Sequence, residues 1–506
     1  MENTISYINT FNDIHHLSAV AGFTYQDFLN TSLSGSSSGF LSNDFQSYNL
    51  AAGENPGIPG SNYTKSVLLS YLGRINYNIY NKYLLTVSFR ADGSSRFSEG
   101  NKWGYFPSTA LAWRISEEEF LKDNATISNL KFRTSWGMTG SQAISPYVTL
   151  NQLSANKVVF DDALNATFAP SDRLPGKLKW ETTSQFNVGI DLGFLENRLN
   201  LVADYYVKKT KDLLNTVRLP SSLGWTSTIQ NVGKVQNKGF ELGLDALLFE
   251  GPFYWNLNTN ISFNRNKVLK LYNGEDILGP TTGALSLTGN VNILREGQPI
   301  GVFYGYEEDG YDDKGFIKYK DLNGDGTLNQ EDRTYIGNPN PDFIYGFRSD
   351  MSWKNFELSL FLQGSYGNDL LNISKMSYAY DYGFGLNMIK DVLYNHWSEN
   401  NLNAKYPKIS YYTKYQMSDR FVEDGSYIRL KNIQLAYKLP INKFKLNWMK
   451  VLQVYVSAQN LLTLTNYSGW DPEVNARGGS NSTSLGIDDN VYPNSKTFTF
   501  GLRAQF

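Results

Sequence analysis

Strict alternation of apolar and polar residues in the last ten positions constrains the fold more than any other feature of this chain. The apolar side chains are Phe498, Phe500, Leu502, Ala504 and Phe506, and mostly polar residues lie between them. Successive side chains of a strand point to opposite faces, so this segment forms a strand with one apolar and one polar face. An apolar strand at a free sheet edge promotes aggregation. A closed transmembrane β-barrel has no free edge and can end in this way.

The same period of two recurs along the whole sequence. Phe186, Val188 and Ile190, for example, alternate with polar residues or glycine. We predict about fourteen strands near the length that spans a membrane, roughly 9–11 residues. They cover residues 14–27, 66–79, 82–93, 104–115, 129–140, 182–195, 198–211, 237–250, 253–267, 342–354, 355–367, 426–439, 450–464 and 496–506.

The connections between these strands differ in length. Short turns are expected near residues 80, 196, 251, 354 and 442, and long connections at 28–62, 141–180, 212–236, 268–341, 368–425 and 465–495. Short turns on one side and long loops on the other are typical of outer-membrane barrels, whose long loops lie outside the cell. We therefore predict an all-β fold, an antiparallel transmembrane β-barrel. The polar strand faces fit a water-filled lumen or the solvent side of a β-sandwich, so periodicity alone leaves both open.

Composition excludes several classes of protein. Aromatic residues make up 15% of the 506 residues, which suits the aromatic girdles of a membrane barrel or a sugar-stacking surface. The net charge of −2 gives no indication of nucleic-acid binding. The absence of cysteine excludes disulfides, thiol nucleophiles and cysteine-bound metals. The sequence contains no stretch of about 18 apolar residues, so it predicts no transmembrane helix.

One motif, residues 321–332, has the spacing of a calcium loop. Oxygen-bearing residues occupy positions 1, 3, 5, 9 and 12, a backbone carbonyl is expected at position 7, and Gly326 stands at position 6. The predicted structural calcium site within a long external loop consists of Asp321, Asn323, Asp325, Thr327, Asn329 and Asp332. Position 12 is aspartate instead of the usual glutamate. The alternative is a turn-rich hairpin tip that binds no metal.

The other residues with reactive or stacking side chains give weaker indications. His15 and His16 are adjacent in a strand and point to opposite faces, and His396 stands alone, so neither a zinc site nor a Ser-His-Asp site is indicated. No catalytic residues are predicted. Trp225, Trp397 and Trp470 lie in long connections and could contact a substrate or a lid protein; packing of the loops themselves is the alternative.

Several motifs in sequence order resemble the SusC/RagA family of TonB-dependent outer-membrane transporters of Bacteroidetes. They span residues 178–183, 231–241, the calcium-like loop continuing to residue 343, residues 424–432 and 460–462, and the C-terminal strand. The resemblance implies a barrel of about 22 strands around an N-terminal plug, of which this chain supplies the C-terminal portion. It also implies that Phe498, Phe500 and Phe506 belong to an outer-membrane insertion signal.

The resemblance further implies import of oligosaccharides or peptides, a SusD-like surface lipoprotein as a lid, and energy from the TonB complex. The first residues contain no signal peptide, TonB box or plug-like segment, so residues 1–506 are expected to be an N-terminally incomplete barrel domain surrounded by outer-membrane lipid. Two alternatives remain at this point: a soluble or surface β-rich glycan-binding protein, and a passive porin.

Overall fold

A large antiparallel sheet organises the chain. The computed structural model describes residues 1–122, 124–281, 287–380, 385–411, 413–441, 448–476 and 484–506. Fifteen strands follow one another in chain order across this sheet. They are β1 (Glu2–Phe11), β2 (His15–Ser34), β3 (Gly60–Ile79), β4 (Tyr83–Ser94), β5 (Trp103–Arg114), β6 (Ile127–Ser141), β7 (Glu181–Phe194), β8 (Leu199–Lys211), β9 (Lys234–Phe249), β10 (Phe253–Lys270), β11 (Phe343–Trp353), β12 (Phe356–Tyr366), β13 (Tyr427–Lys438), β14 (Val451–Thr465) and β15 (Thr497–Gln505).

The predicted strands correspond to β2 through β15, which confirms the all-β antiparallel prediction. The strand β1 was missed. Its sequence is mostly polar, and Tyr7 and Ile8 are adjacent, so the period of two is broken. Its strand conformation comes from pairing with β2 over ten residues, from Glu2 opposite Thr24 to Phe11 opposite His15. The turn expected near residue 442 falls in 442–447, outside the described residues.

The strands β2 and β3 are also longer than predicted, because they form a ribbon beyond the rest of the sheet. They pair from His15 opposite Ile79 to Ser34 opposite Gly60, whereas β3 pairs with β4 only from Leu68 to Ile79. An ion pair between Lys65 and Asp27, with a 2.9 Å separation, lies in this extension.

Two compact units divide the chain. The first consists of residues 1–112, 135–185 and 210–233. Its connections pack with Phe106 of β5 into a small core of six buried residues, in which the indole of Trp180 lies 5.0 Å from the ring of Phe97 and 5.5 Å from that of Phe106. The other members are Ile144, Val148 and Leu178. A hairpin of strands Leu153–Phe160 and Ala163–Pro170 belongs to the same unit.

The second unit, residues 113–134, 186–209 and 234–506, contains a larger core built from its three long connections. We refer to this cluster as the loop core. Its centre is fully buried, and it joins side chains that are up to two hundred residues apart. Its members are Leu287, Val291, Phe303, Leu371, Ile373, Met376, Ala379, Tyr380, Val392, Tyr406, Tyr415, Met417, Phe421 and Ile487.

Short elements shape these connections. Two helices, α1 (Ser374–Ala379) and α2 (Lys390–Asn395), lie in the connection between β12 and β13. Single 3-10 turns occur at Asn43–Phe45, Leu50–Ala52, Ile115–Glu117, Ser221–Leu223, Tyr272–Gly274, Gln330–Asp332 and Asp419–Phe421. The remaining short strands are Ser37–Ser38, Asn55–Pro56, Arg173–Leu174, Leu214–Arg218, Ser227–Asn231, Ile277–Leu278, Leu287–Thr288, Asn292–Leu294, Val302–Gly305, Glu308–Tyr311, Ile317–Tyr319, Thr334–Gly337, Asp369–Asn372, Tyr415–Gln416, Val422–Asp424 and Ile487–Asp488.

Candidate functional site

An apolar row crosses the sheet of the second unit. Directly paired residues of an antiparallel sheet share a face, and the register aligns one large apolar side chain from each of seven neighbouring strands. Much of this surface is exposed: Leu435 is 51% exposed and Phe500 is 78% exposed. We call it the apolar row. Its members are Phe249, Trp255, Met351, Leu358, Leu435, Val456 and Phe500.

The C-terminal strand takes part in this surface as its sequence predicts. In β15, Phe498, Phe500 and Leu502 pair with Ala458, Val456 and Val454 of β14. Phe506 lies just beyond the strand, where its ring stacks on Trp448 with centroids 5.3 Å apart. A contiguous exposed apolar face that extends over seven strands marks contact with a membrane or a protein partner.

The polar faces of the strands carry charged side chains, both in β6 to β8 and in the strands of the apolar row. The guanidinium group of Arg133 bonds the carboxylate oxygens of Asp191 at 2.7 Å and of Asp204 at 3.0 Å. Farther along the sheet, the Nε2 atom of Gln453 donates to Glu357 at 2.7 Å. Each of these groups has a partner on another strand, so the polar side chains of this face are paired across strands.

Aromatic rings mark both ends of the apolar face. Near the short turns, the rings of Phe249 and Trp255 stack with centroids 6.0 Å apart. Near the long connections, Phe263 lies 5.5 Å from Phe343. Paired aromatic belts of this kind are typical of proteins that face lipid, because the rings favour the level of the lipid headgroups.

A buried ionic cluster joins the last long connection to the strands. Arg429 of β13 donates to Asp471, to Glu473 at 2.9 Å, and to the hydroxyl of Thr463 at 3.0 Å. The backbone N–H of Asn494 also donates to Asp471. Sequence reasoning missed this cluster. Arg429 lies in the motif 424–432, but nothing in the sequence indicates its partners.

A second polar cluster lies beside the loop core. The Nζ atom of Lys375 donates to Glu423 at 2.8 Å, and Ser468 donates to the same carboxylate through its N–H and its hydroxyl. Burial alone would raise the pKa of Glu423, but these hydrogen bonds outweigh it and hold the pKa below its ordinary value. Nearby, Tyr467 donates to the buried Asp488 at 2.6 Å, and burial raises the pKa of Tyr467.

The predicted calcium loop is closed by its own hydrogen bonds. The carboxylate of Asp321 accepts the N–H groups of Gly324 and Gly326, both at 2.7 Å. The Oδ2 atom of Asp325 accepts the side-chain amides of Asn323 at 3.1 Å and Asn329 at 3.0 Å. Four of the predicted ligand residues therefore converge on the turn.

Asp332 is placed differently from the other predicted ligands. It is fully buried, and its carboxylate accepts the backbone N–H groups of Leu322, Asn323 and Asn329. These hydrogen bonds hold the pKa of Asp332 below its ordinary value. Thr327 contributes its carbonyl oxygen to the amide of Asn329 at 3.1 Å. Within the described residues, no three His, Cys, Asp or Glu side chains form a group that could hold a metal ion.

The three predicted tryptophan contacts have different surroundings. Trp470 is 80% exposed, whereas Trp397 is only 9% exposed. A Cβ atom at Gly315 would lie 2.3 Å from the Trp397 ring, so this glycine allows the indole to pack against the backbone. Trp397 thus packs within the loops, Trp225 is half-buried, and Trp470 keeps a free ring face.

The three histidines have separate partners. His15 bonds the hydroxyl of Tyr77 at 2.9 Å, and His16 bonds Thr10 at 2.9 Å. His396 lies apart from both and contacts backbone carbonyl groups at the end of α2.

No helix in the described parts of the chain is long and apolar enough to cross a membrane.

Known proteins match this chain along its length. The family described as "TonB dependent receptor-like, beta-barrel" matches residues 2–461. TonB-dependent receptor P3 of Formosa agariphila is 38% identical over 525 residues, which cover 100% of this chain and 52% of that protein. TonB-dependent receptor SusC of Bacteroides thetaiotaomicron is 35% identical over 465 residues, covering 88% of this chain and 44% of that protein.

Solved structures give the same match. A structure of the RagAB peptide transporter superimposes with a TM-score of 0.86 at 28% identity, covering 100% of this chain and 55% of that chain. The chain spans about half the length of the relatives that it matches.

Proposed function

The chain belongs to the TonB-dependent receptors, and we propose that it forms part of an importer that takes up oligosaccharides or peptides with energy from the TonB complex. Its fold is the barrel fold of that family, and it is an outer-membrane protein of the SusC/RagA type. This location excludes the soluble form of the glycan-binding alternative. The observation that carries the proposal is the apolar row, which gives seven neighbouring strands one continuous face for lipid.

We propose that the role is binding and transport without covalent chemistry. The polar face supports this role, because its charges are paired with neighbouring groups instead of being assembled around a reacting atom. The ion pairs of Arg133 with Asp191 and Asp204 are an example. Relatives of this chain are named as a TonB-dependent receptor and as a peptide transporter, which agrees with a role in binding and transport.

The folded connections are the proposed contact region for a SusD-like lid lipoprotein. The loop core gives these connections a fixed surface, and a preorganised surface binds a partner with a lower entropic cost. Trp470 is the best-exposed of the predicted contacts, and its connection is held by the Arg429 cluster. We propose Trp470 as a contact of the lid or substrate, and Trp225 as a secondary one.

The loop at residues 321–332 is proposed as a structural calcium site. Its support is the ligand spacing together with the convergence of Asp321, Asn323, Asp325 and Asn329 on one turn. Oxygen ligands of this kind suit calcium. The two oxygens of Asp332 already accept backbone N–H groups, so calcium would have to share this carboxylate or bind without it.

Uptake measurements in cells test the proposed transport. Cells that carry the whole gene are compared with a deletion strain for uptake of labelled oligosaccharides and labelled peptides. TonB-driven import predicts uptake that depends on the gene and stops when the inner-membrane proton gradient is collapsed. Gene-dependent uptake that persists without the gradient would instead indicate the passive porin. Gene-independent uptake of both substrate classes would overturn the proposal.

A further inference from the structure

Basic side chains continue the apolar face of β9 and β10 toward the long connections. In the register of these strands, Phe240 lies opposite Phe263, and the next pair on the same face is Lys238 opposite Arg265. Lys267 follows two residues later and so lies on this face as well. All three side chains are exposed. We call Lys238, Arg265 and Lys267 the basic row.

The basic row has an excess of positive charge. Arg265 forms an ion pair with Asp342 at 2.6 Å and also donates to the backbone carbonyl of Pro341. Among the described residues, no carboxylate lies within ion-pair distance of Lys238 or Lys267. Like charges placed directly opposite each other across two strands destabilise the pair. An anion bound at the basic row would relieve this repulsion.

The position of the basic row matches the level of lipid headgroups. Trp255 marks one aromatic end of the apolar face and Phe263 marks the other. Eight strand residues separate them, which corresponds to about 26 Å along the strand and to roughly 20 Å of height for a tilted barrel strand. The apolar band of an outer-membrane barrel is about 25 Å tall. The basic row begins one same-face position beyond this band.

We propose that the basic row binds the phosphate groups of an anionic membrane lipid in the leaflet next to the long connections. Phosphate oxygens accept charge-assisted hydrogen bonds from lysine and arginine, and the acyl chains of the same lipid would lie on the apolar face below. Continuity with the lipid-facing surface favours a lipid over a free anion. The inference rests on the outer-membrane location and is independent of the transported substrate.

A binding measurement tests this site. The complete protein, purified in detergent, is titrated with mixed micelles that contain diphosphoryl lipid A or its dephosphorylated form, and affinity is measured by thermophoresis. The test variant is Lys238→Gln with Lys267→Gln, which leaves the ion pair of Arg265 with Asp342 intact. Each lysine near a membrane surface strengthens the binding of an anionic lipid. Removal of both is therefore expected to weaken binding of the phosphorylated lipid roughly thirtyfold.

A charge-matched variant provides the control. Lys157→Gln with Lys314→Gln removes two exposed lysines from connections and is expected to bind as the wild type does. Equal loss in both variants, or equal binding of the phosphorylated and dephosphorylated lipid, would overturn the proposal. Complete competition by millimolar inorganic phosphate would show a free-anion site and would also overturn it. Transport of the substrate can fail or persist independently of these results.

Discussion

Arg429 and Asp471 form an ion pair whose side chains are only 2% and 5% exposed, although 42 residues separate them in the sequence. The pair attaches the connection between β14 and β15 to the first residues of β13. Hydrogen bonds from Arg429 to Glu473 and from Asn494 to Asp471 complete the attachment. The connection that carries the exposed Trp470 is therefore fixed by charge as well as by packing.

Replacing Arg429 with methionine is expected to release this connection. The substitution leaves Asp471 buried without its cation, and loss of one member of a buried pair typically costs about 3–5 kcal/mol. Limited proteolysis of the detergent-purified protein should then cut residues 466–476 or 484–496 at least several times faster than in the wild type.

The exposed pair of Arg348 with Asp350 offers a control for this substitution. Its side chains are 59% and 32% exposed, and exposed pairs contribute about 0–1 kcal/mol. Arg348→Met should leave the cleavage rate of the connection unchanged. Equal cleavage in the wild type and in Arg429→Met would show that the buried pair does not hold the connection.

Truncation of Phe421 should open the loop core without unfolding the strands. Phe421 is fully buried, and its ring lies 5.3 Å from that of Tyr380. Phe421→Ala leaves a cavity and is expected to cost about 3–5 kcal/mol. Amide hydrogen exchange should therefore accelerate in residues 369–372 and 415–424, and β12 and β14 should keep their protection.

Leu402→Ala is the control, because its position is 62% exposed, and it should leave the exchange rates of these connections and strands unchanged. Uniform acceleration across strands and connections would contradict an independent loop core.

The strands could be predicted from sequence because their signal is local. A row of alternating residues such as 253–267 contains its own evidence, and the structure gives β10 as Phe253–Lys270. The strand β1 escaped prediction because its conformation depends on β2. The loop core escaped for the same reason on a larger scale, since Leu287 and Ile487 share it across two hundred residues. The motifs near Asn231 and Trp180 indicate family, but only the structure shows that Trp180 packs a core and that Asn231 donates to the carbonyl of Lys179.

A charge introduced into the apolar row is expected to destabilise the protein in the membrane. Leu435 lies on the apolar face between Leu358 and Val456, and an arginine on the lipid face of a barrel costs about 2–4 kcal/mol at the membrane midplane and less near its edges. Leu435→Arg should lower the urea midpoint of the protein in lipid vesicles.

The neighbouring residue Gln434 points to the polar face, so Gln434→Arg is the matched control and should change the free energy of unfolding by no more than about 1 kcal/mol. A larger effect of Gln434→Arg than of Leu435→Arg would mean that the lipid-facing side has been assigned to the wrong face.

The loop at residues 321–332 is expected to bind calcium, and isothermal titration measures this directly. Asp325→Asn removes one carboxylate from the turn and should weaken binding roughly tenfold or more, because calcium affinity depends on the number of charged ligands. Asp313→Asn makes the same charge change at an exposed site outside the loop and should bind normally. The absence of binding heat for the wild type at millimolar calcium would leave residues 321–332 as a metal-free turn.

Asp391 should make the loop core sensitive to acid. Its carboxylate accepts hydrogen bonds from Lys405 at 2.6 Å, Asn395 at 2.6 Å and the buried Tyr406 at 2.9 Å, and these lower the pKa of Asp391 to about 2. Because the folded-state pKa lies below the ordinary value of 3.8, the stabilisation is complete above that value and is lost as the pH falls toward 2. Pepsin cleavage of residues 385–411 should therefore rise between pH 4 and pH 2 in the wild type, and equally in Glu399→Gln, an exposed-site control that keeps Asp391. Asp391→Asn should be cleaved faster at pH 4 and should show a flatter pH profile. Parallel profiles for Asp391→Asn and Glu399→Gln would exclude this carboxylate as the source of acid sensitivity.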